Sequence, residues 1–150
     1  MRWFRLYAEL PSRKRWLLPR AVTLVAAVRI ALWTLPFRWV RLVVGRKRAV
    51  SPELATIRVE HLAWAVQAAA RRIPGASCLT QALSLQYLMT LAGHDAEVHI
   101  GVAKDAARGF EAHAWVEHGG AILLGDDGDL GRYAPILALS TEDLNLRQES

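Results

Sequence analysis

The fold is decided by the stretch SCLTQALSL at residues 77–85, which places the only cysteine, Cys78, at the start of a helical pattern. Apolar residues continue at helical spacings to about Ala92. Gly93 follows in the usual C-terminal position of a helix. The sequence therefore predicts a mostly buried helix from Cys78 to about Ala92.

Downstream of this helix, the apolar residues alternate, as they do in half-buried strands. The pattern predicts one strand over residues 96–102 and a second over residues 110–118. Gly119-Gly120 predicts a hairpin turn, with residues 121–124 as the partner strand. Helices followed by a small antiparallel sheet predict an α+β fold.

Upstream, residues 16–44 are strongly apolar and residues 52 to about 72 have the spacing of a helix that Ser51 can cap. A membrane span needs about 20 mostly apolar residues. Arg20, Arg29 and Pro36 interrupt every such window in residues 16–44, which favours a packed or interfacial helix over a transmembrane one.

Charge divides the chain into two parts. Residues 1–50 carry a net charge of +11 and residues 51–150 carry −6. We therefore predict a basic, apolar helical arm at residues 1–49 and a domain at residues 50–150. A basic arm suits an anionic partner such as a lipid surface or an acidic protein face. The domain has no aromatic and basic recognition motif of the known kinds, so nucleic acid is not an expected partner.

The position of Cys78 suits a nucleophile. The first N–H groups of a helix and its positive dipole end favour the thiolate, which is the reactive form of cysteine. The alternative is that Cys78 is a small buried hydrophobic residue, as free cysteines often are. Position alone leaves both interpretations open.

His113 lies in the middle of the second predicted strand, within EAHAWVE at residues 111–117. It is far from Cys78 in the sequence, so a contact between them must come from the fold. Trp115 is expected on the same face of the strand as His113, because strand side chains alternate. The alternative is a purely structural histidine.

The third partner of a cysteine nucleophile system accepts a hydrogen bond from the imidazole and fixes its tautomer. Asp126, just after the predicted hairpin, is the first choice and Asp127 is the reserve. Both lie in GDDGD at residues 125–129, which could also be a plain acidic turn or a calcium loop. The known calcium loop has a glutamate that this stretch lacks.

A zinc site formed by Cys78, His99, His113 and His118 is a weak alternative. None of these residues has the close-paired spacing that is typical of structural zinc. We therefore predict neither a metal nor a cofactor.

Several pieces in a fixed order carry a family resemblance. They are CL at 78–79, ALSL at 82–85, HIGV at 99–102, GFEAHAWVE at 109–117 and RYAP at 132–135. Together they resemble the leader peptidase of lasso-peptide biosynthesis, a family similar to transglutaminase-like cysteine peptidases. The resemblance covers roughly residues 50–140. It implies a transglutaminase- or papain-like core and a triad of Cys78, His113 and Asp126, with Asp127 as the alternative carboxylate.

The resemblance also implies an activity and its partners. The enzyme would cut a ribosomally made precursor peptide between leader and core through a thioester, and a separate ATP-dependent lasso cyclase would then close the ring. The chain resembles the stand-alone peptidase form, which implies a separate leader-recognition protein. Residues 1–49 would contact that protein, the cyclase or a membrane, and the expected location is the cytoplasm. A non-catalytic scaffold and an acyltransferase with the same triad remain alternatives.

Overall fold

The computed structural model describes residues 15–140, in which five helices precede a four-stranded sheet. The helices are α1 Leu17–Thr34, α2 Phe37–Val44, α3 Pro52–Ala55, α4 Val59–Ala70 and α5 Cys78–Leu91. The strands are β1 Glu97–Asp105, β2 Gly109–His118, β3 Ala121–Leu124 and β4 Ala134–Leu139. This order confirms the predicted α+β fold. The interleaved apolar and basic residues at 1–10 and the capping residues at 140–143 each predict a short helix as well, but residues 1–10 and 141–143 lie outside the described residues.

The central helix α5 begins at Cys78, as predicted. Ser77 caps it, because its side-chain oxygen accepts a hydrogen bond from the backbone N–H of Thr80 at 3.3 Å. At the other end, Gly93 has a φ of +81°, and the N–H of His94 bonds back to the carbonyl of Met89. Glycine adopts this left-handed conformation without a steric penalty, so the helix ends there.

The sheet has the strand order β3-β2-β1-β4, and all neighbouring pairs for which the register is defined are antiparallel. The Gly119-Gly120 turn has a positive φ at both residues, which fits a tight hairpin between β2 and β3. The predicted hairpin is therefore confirmed. Residues 134–139 are not predicted as a strand, but they form β4 on the outer edge of β1.

The predicted single helix from Pro52 to about Arg72 is wrong. It is divided into α3 and α4, because Arg58 takes an extended conformation with a ψ of 144°. The Thr56 hydroxyl donates to the carbonyl of Glu53 at 2.8 Å and closes the first short helix. Threonine offers the backbone this local alternative to a continuous helix.

Helix α1 belongs to the main core. Leu17, Ala21 and Val25 are fully buried in the same cluster as the apolar residues of α4, α5 and the sheet. Among the described helices, α1 is the one that meets the length and hydropathy of a membrane span, with a mean hydropathy of 1.5 and 22% of it buried. That match concerns length and composition only. The side of α1 that carries these three residues packs inside the protein.

Gln86 ties the central helix to the sheet. Its side chain is 2% exposed, and its Nε2 donates to the carbonyl oxygens of Ala96 at 3.1 Å and of Leu139 at 2.8 Å. Ala96 precedes β1 and Leu139 ends β4, so one amide group fixes the helix against two strands. A buried polar side chain is tolerated here because it is hydrogen-bonded.

Candidate active site

Cys78 lies at the first position of α5 and is half-buried. It packs against the main core, which includes residues of α4, α5 and the inner face of the sheet. The first N–H groups of a helix have no partner within the helix. The Ser77 side chain accepts a hydrogen bond from the backbone N–H of Thr80. The backbone N–H groups nearest the sulfur of Cys78 have no partner inside α5.

The turn before Cys78 lies under an arginine of α1. Gly75 has a φ of +75°, and a Cβ placed on it would lie 2.9 Å from a terminal guanidinium nitrogen of Arg29. Arg29 Nε is buried without a hydrogen-bond partner within the described part of the chain. The guanidinium therefore brings positive charge to the loop that leads into the cysteine.

His113 is half-buried in β2, and its ring is held through Nε2. That nitrogen lies 2.6 Å from the carbonyl oxygen of Gly125. A carbonyl oxygen only accepts hydrogen bonds, so Nε2 carries the proton and donates. In the neutral ring, Nδ1 is then unprotonated and can take a proton from another group.

Two aromatic rings surround His113. Tyr133 stacks on it with the ring centroids 5.2 Å apart, and Trp115 stacks at 6.2 Å. Gly101 makes room for this cluster, because a Cβ there would lie 2.8 Å from the Cβ of Tyr133 and 3.2 Å from the ring of Trp115. These contacts restrict the imidazole, which helps it keep a defined orientation.

Asp127 is joined to this cluster. Its carboxylate accepts a hydrogen bond from the Tyr133 hydroxyl at 3.0 Å and lies 3.4 Å from Arg132. The pKa of Asp127 is lowered, first because the backbone N–H of Asp129 bonds to it, and then by Tyr133, Arg132 and the charge of His113. Burial and the bond to Asp127 raise the pKa of Tyr133.

Asp126, the first choice for the third partner, is exposed. Its Oδ1 accepts a hydrogen bond from the backbone N–H of Gly128 at 2.9 Å, which closes the turn. The hydrogen bond predicted from His113 to Asp126 goes instead to the preceding backbone carbonyl, that of Gly125. The role of Asp126 in a triad stays a prediction.

Cys78 and His113 lie on opposite faces of the sheet. Ala114 is buried in the core that contacts Cys78, and side chains alternate along a strand, so His113 faces the opposite side. There it meets Trp115 and Tyr133. Between residues 15 and 140, no hydrogen bond joins Cys78 to His113. Their pairing stays a prediction.

The residues of the zinc alternative are not brought together. Within the described residues, the group of metal-ligating side chains is Glu97, His99 and Glu117, whose candidate ligand atoms lie within 4.8 Å of one another. His99 Nε2 is 3.2 Å from Glu97 and 3.6 Å from Glu117, without hydrogen-bond geometry. His118 instead bonds to the backbone carbonyl of Asp95.

A family model described as "Transglutaminase-like superfamily" matches residues 21–138 of the chain. The matched region is more than half of the chain, and it includes Cys78, His113 and the turn at 125–129. This chain belongs to the transglutaminase-like superfamily. Members of the transglutaminase-like superfamily are generally enzymes of the cysteine peptidase or acyltransferase type. Comparison with curated proteins and with solved structures gives no match. The match begins within α1, so the boundary predicted between residues 49 and 50 falls inside the matched region.

Several parts of this site have no role predicted from the sequence. Tyr133 and Arg132 lie in the RYAP stretch and Gly125 follows the hairpin, but no pattern predicts that they contact His113 or Asp127. A glycine directly after a hairpin strand, next to two aspartates, was the available signal. The contacts themselves depend on how β2 and the chain after β3 meet, which no local pattern specifies.

Proposed function

We propose that this transglutaminase-like protein is a cysteine peptidase that removes the leader from a ribosomally made lasso-peptide precursor. Cys78 is the nucleophile, His113 is the general base and acid, and an aspartate of the turn after β3 supports His113. The observation that carries the proposal is the position of the only cysteine at a capped helix N-terminus within the family match.

The proposed reaction has two steps. Cys78 Sγ attacks the carbonyl carbon that joins leader and core, and a carbon–sulfur bond forms as its proton passes to His113. The carbon–nitrogen bond then breaks, and His113 returns the proton to the leaving amine. Water next attacks the thioester and releases the leader with a free carboxylate, while the thiol is regenerated. The core leaves with a free amino terminus.

The hydrogen bond to Gly125 determines which nitrogen of His113 takes part. Because Nε2 donates to the carbonyl of Gly125, Nδ1 is the nitrogen that accepts the proton from Cys78. The free N–H groups in the first turn of α5 are the nearest donors in sequence for the developing oxyanion.

How the two side chains meet is part of the proposal. Strand β3 pairs with β2 only from Val116 to His118, and Gly125 lies beside the next part of this edge, next to Ala114 and Trp115. We propose that the start of α5 and the ring of His113 approach each other around this edge.

Asp127 is better supported than Asp126 as the carboxylate partner. The charge of His113 contributes to the lowered pKa of Asp127. Tyr133 also connects the two residues, because its hydroxyl donates to Asp127 and its ring stacks on His113. Asp126 instead closes its own turn. We propose that Asp127 stabilises the imidazolium that forms during the reaction, and Asp126 remains the alternative.

The proposed partners follow from the resemblance of residues 50–140. They are the precursor peptide, a separate leader-recognition protein and an ATP-dependent lasso cyclase, and the proposed location is the cytoplasm. The test is to incubate the protein with a candidate precursor and recognition protein and to look for released leader by mass spectrometry. Cleavage by the wild type, but not by Cys78→Ala, supports the proposal. Equal cleavage by both overturns it.

The second candidate is an acyltransferase with the same residues, since the superfamily includes that type. The acyl group held as a thioester on Cys78 would then be transferred to an amine instead of to water. The same mass spectrometry experiment distinguishes the two, because transfer gives a leader–amine conjugate and hydrolysis gives a free leader acid.

A further inference from the structure

Six exposed apolar side chains lie near the point where α1 turns into α2. They are Ile30, Trp33, Leu35, Trp39, Leu42 and Val43, which we call the corner surface. These six are more than half of the large hydrophobic side chains that are exposed between residues 15 and 140. Single exposed apolar residues are common, but a concentration of this kind indicates an interaction site.

The corner surface is built on helices whose other sides are fixed in the core. Val40 and Val44 of α2 pack with Val28 of α1 and Leu83 of α5. Trp39, Leu42 and Val43 of the same helix are exposed, so they project away from that contact. The exposed side chains are therefore held outward by a packed structure.

The charged residues of the segment that carries the corner surface are all positive. Residues 15–50 contain eight arginines and lysines and no acidic residue. Arg38 lies beside Trp39, with its guanidinium 5.6 Å from the centre of the ring, and Arg46 and Lys47 follow α2. Apolar and tryptophan side chains together with arginine and lysine are the composition of a surface that binds anionic lipid headgroups.

We infer that the corner surface binds the surface of an anionic lipid bilayer, with Trp33 and Trp39 inserted at the headgroup level. The helix α1 lies on the membrane and does not span it. Its Leu17, Ala21 and Val25 are fully buried in the core, and a spanning helix would have to expose them. This inference is independent of the peptidase activity.

Other occupants fit less well. The chain before residue 15 carries four arginines and lysines and one glutamate, so it adds positive charge instead of neutralising it. A second copy could offer its acidic part, since residues 51–150 carry a net −6. That contact would leave the tryptophans and leucines without an apolar partner of matching composition, whereas a bilayer supplies both the charge and the apolar layer.

The test is flotation with vesicles of phosphatidylcholine alone and of phosphatidylcholine with phosphatidylglycerol, at low and high salt. The expected result is binding to the anionic vesicles that salt weakens. The double variant Trp33→Ala/Trp39→Ala should bind at least about tenfold more weakly. Phe110→Ala is the matched control, because Phe110 and Trp33 are both 80% exposed and Phe110 lies at the start of β2.

Charge is tested in the same way. Arg38→Glu/Lys47→Glu should weaken anionic binding by about tenfold or more, and Lys104→Glu/Arg108→Glu, with the same change in net charge, should not. Thermal unfolding of each variant confirms that the fold is intact. Absent binding, equal binding to both kinds of vesicle, or equal weakening by the controls overturns the inference. Self-association that the tryptophan variant abolishes, without vesicle binding, overturns it in favour of a second copy.

Discussion

The imidazole Nε2 of His113 donates a hydrogen bond to the carbonyl oxygen of Gly125, 2.6 Å away. A backbone carbonyl thus holds the ring where a triad carboxylate was expected. It fixes the tautomer in the same way, because it leaves Nδ1 as the basic nitrogen. Gly125 reaches this position because it has no side chain, and its φ is +88°.

Gly125→Ala is expected to lower the rate of leader cleavage by at least about tenfold. A Cβ at this position would lie 2.7 Å from the carbonyl oxygen of Ala114 and 2.9 Å from the Cα of Trp115, so the carbonyl that holds His113 must move. Gly128→Ala is the control, since its φ is +84° but nothing lies within 4 Å of the added Cβ. Equal cleavage rates in the two variants would show that the Gly125 carbonyl does not position His113.

Asp127→Asn is expected to lower the thermal midpoint at pH 7. The pKa of Asp127 in the folded protein lies below its ordinary value of 3.8, chiefly because of the N–H of Asp129. A lowered pKa stabilises the fold above the ordinary value, and this contribution is lost as the pH falls through the lowered pKa. The difference between wild type and variant should therefore shrink below about pH 3.8. A difference that is constant from pH 7 to pH 2 would argue against this role of the charge.

Asp126 and Asp127 can be compared in the cleavage assay. We expect Asp127→Asn to reduce the rate more than Asp126→Asn, because Asp127 is the one linked through Tyr133 to the ring of His113. The opposite order would identify Asp126 as the partner of the imidazole. Rates would be measured with saturating recognition protein, so that binding of the leader does not mask the chemical step.

Tyr133→Phe is expected to lower the free energy of unfolding by about 1 kcal/mol. The change keeps the ring stacked on His113 but removes the hydroxyl that accepts from Arg132 and donates to Asp127. Tyr87→Phe is the control, because Tyr87 contacts Arg48 through its ring face. Urea unfolding measures both, and an equally large loss in the control would contradict the importance of this network.

Gln86→Leu is expected to lower the free energy of unfolding by roughly 2–4 kcal/mol, because two buried carbonyl groups lose their donor. Those carbonyls belong to Ala96 and Leu139. Gln67→Leu, at a half-buried position of α4, should change stability by less than about 0.5 kcal/mol. If the two substitutions have the same effect in urea unfolding, Gln86 does not connect the helix to the sheet.

The sequence predicted those elements whose boundaries depend on local signals. Ser77 and Gly93 marked the ends of α5, and Gly119-Gly120 marked the hairpin. β4 was missed because it is a short edge strand with Pro135 at its second position, and proline is depleted in strands. The split at Arg58 was missed because the apolar spacing continues across it.

The candidate site was predicted in its residue types but not in its contacts. Cys78 and His113 were visible from their positions in a helix and a strand. That His113 bonds to Gly125, and stacks between Trp115 and Tyr133, depends on long-range packing. No periodicity in the sequence carries information about such contacts.

The central claim is that Cys78 and His113 act together, and the rate of alkylation of Cys78 by iodoacetamide at pH 7 tests it most directly. The protein has one cysteine, so intact mass reports this reaction alone. We predict that Cys78 reacts at least about tenfold faster than a free model thiol and that His113→Ala removes this advantage, while His118→Ala does not. Equal rates for the wild type, His113→Ala and the model thiol would contradict the account.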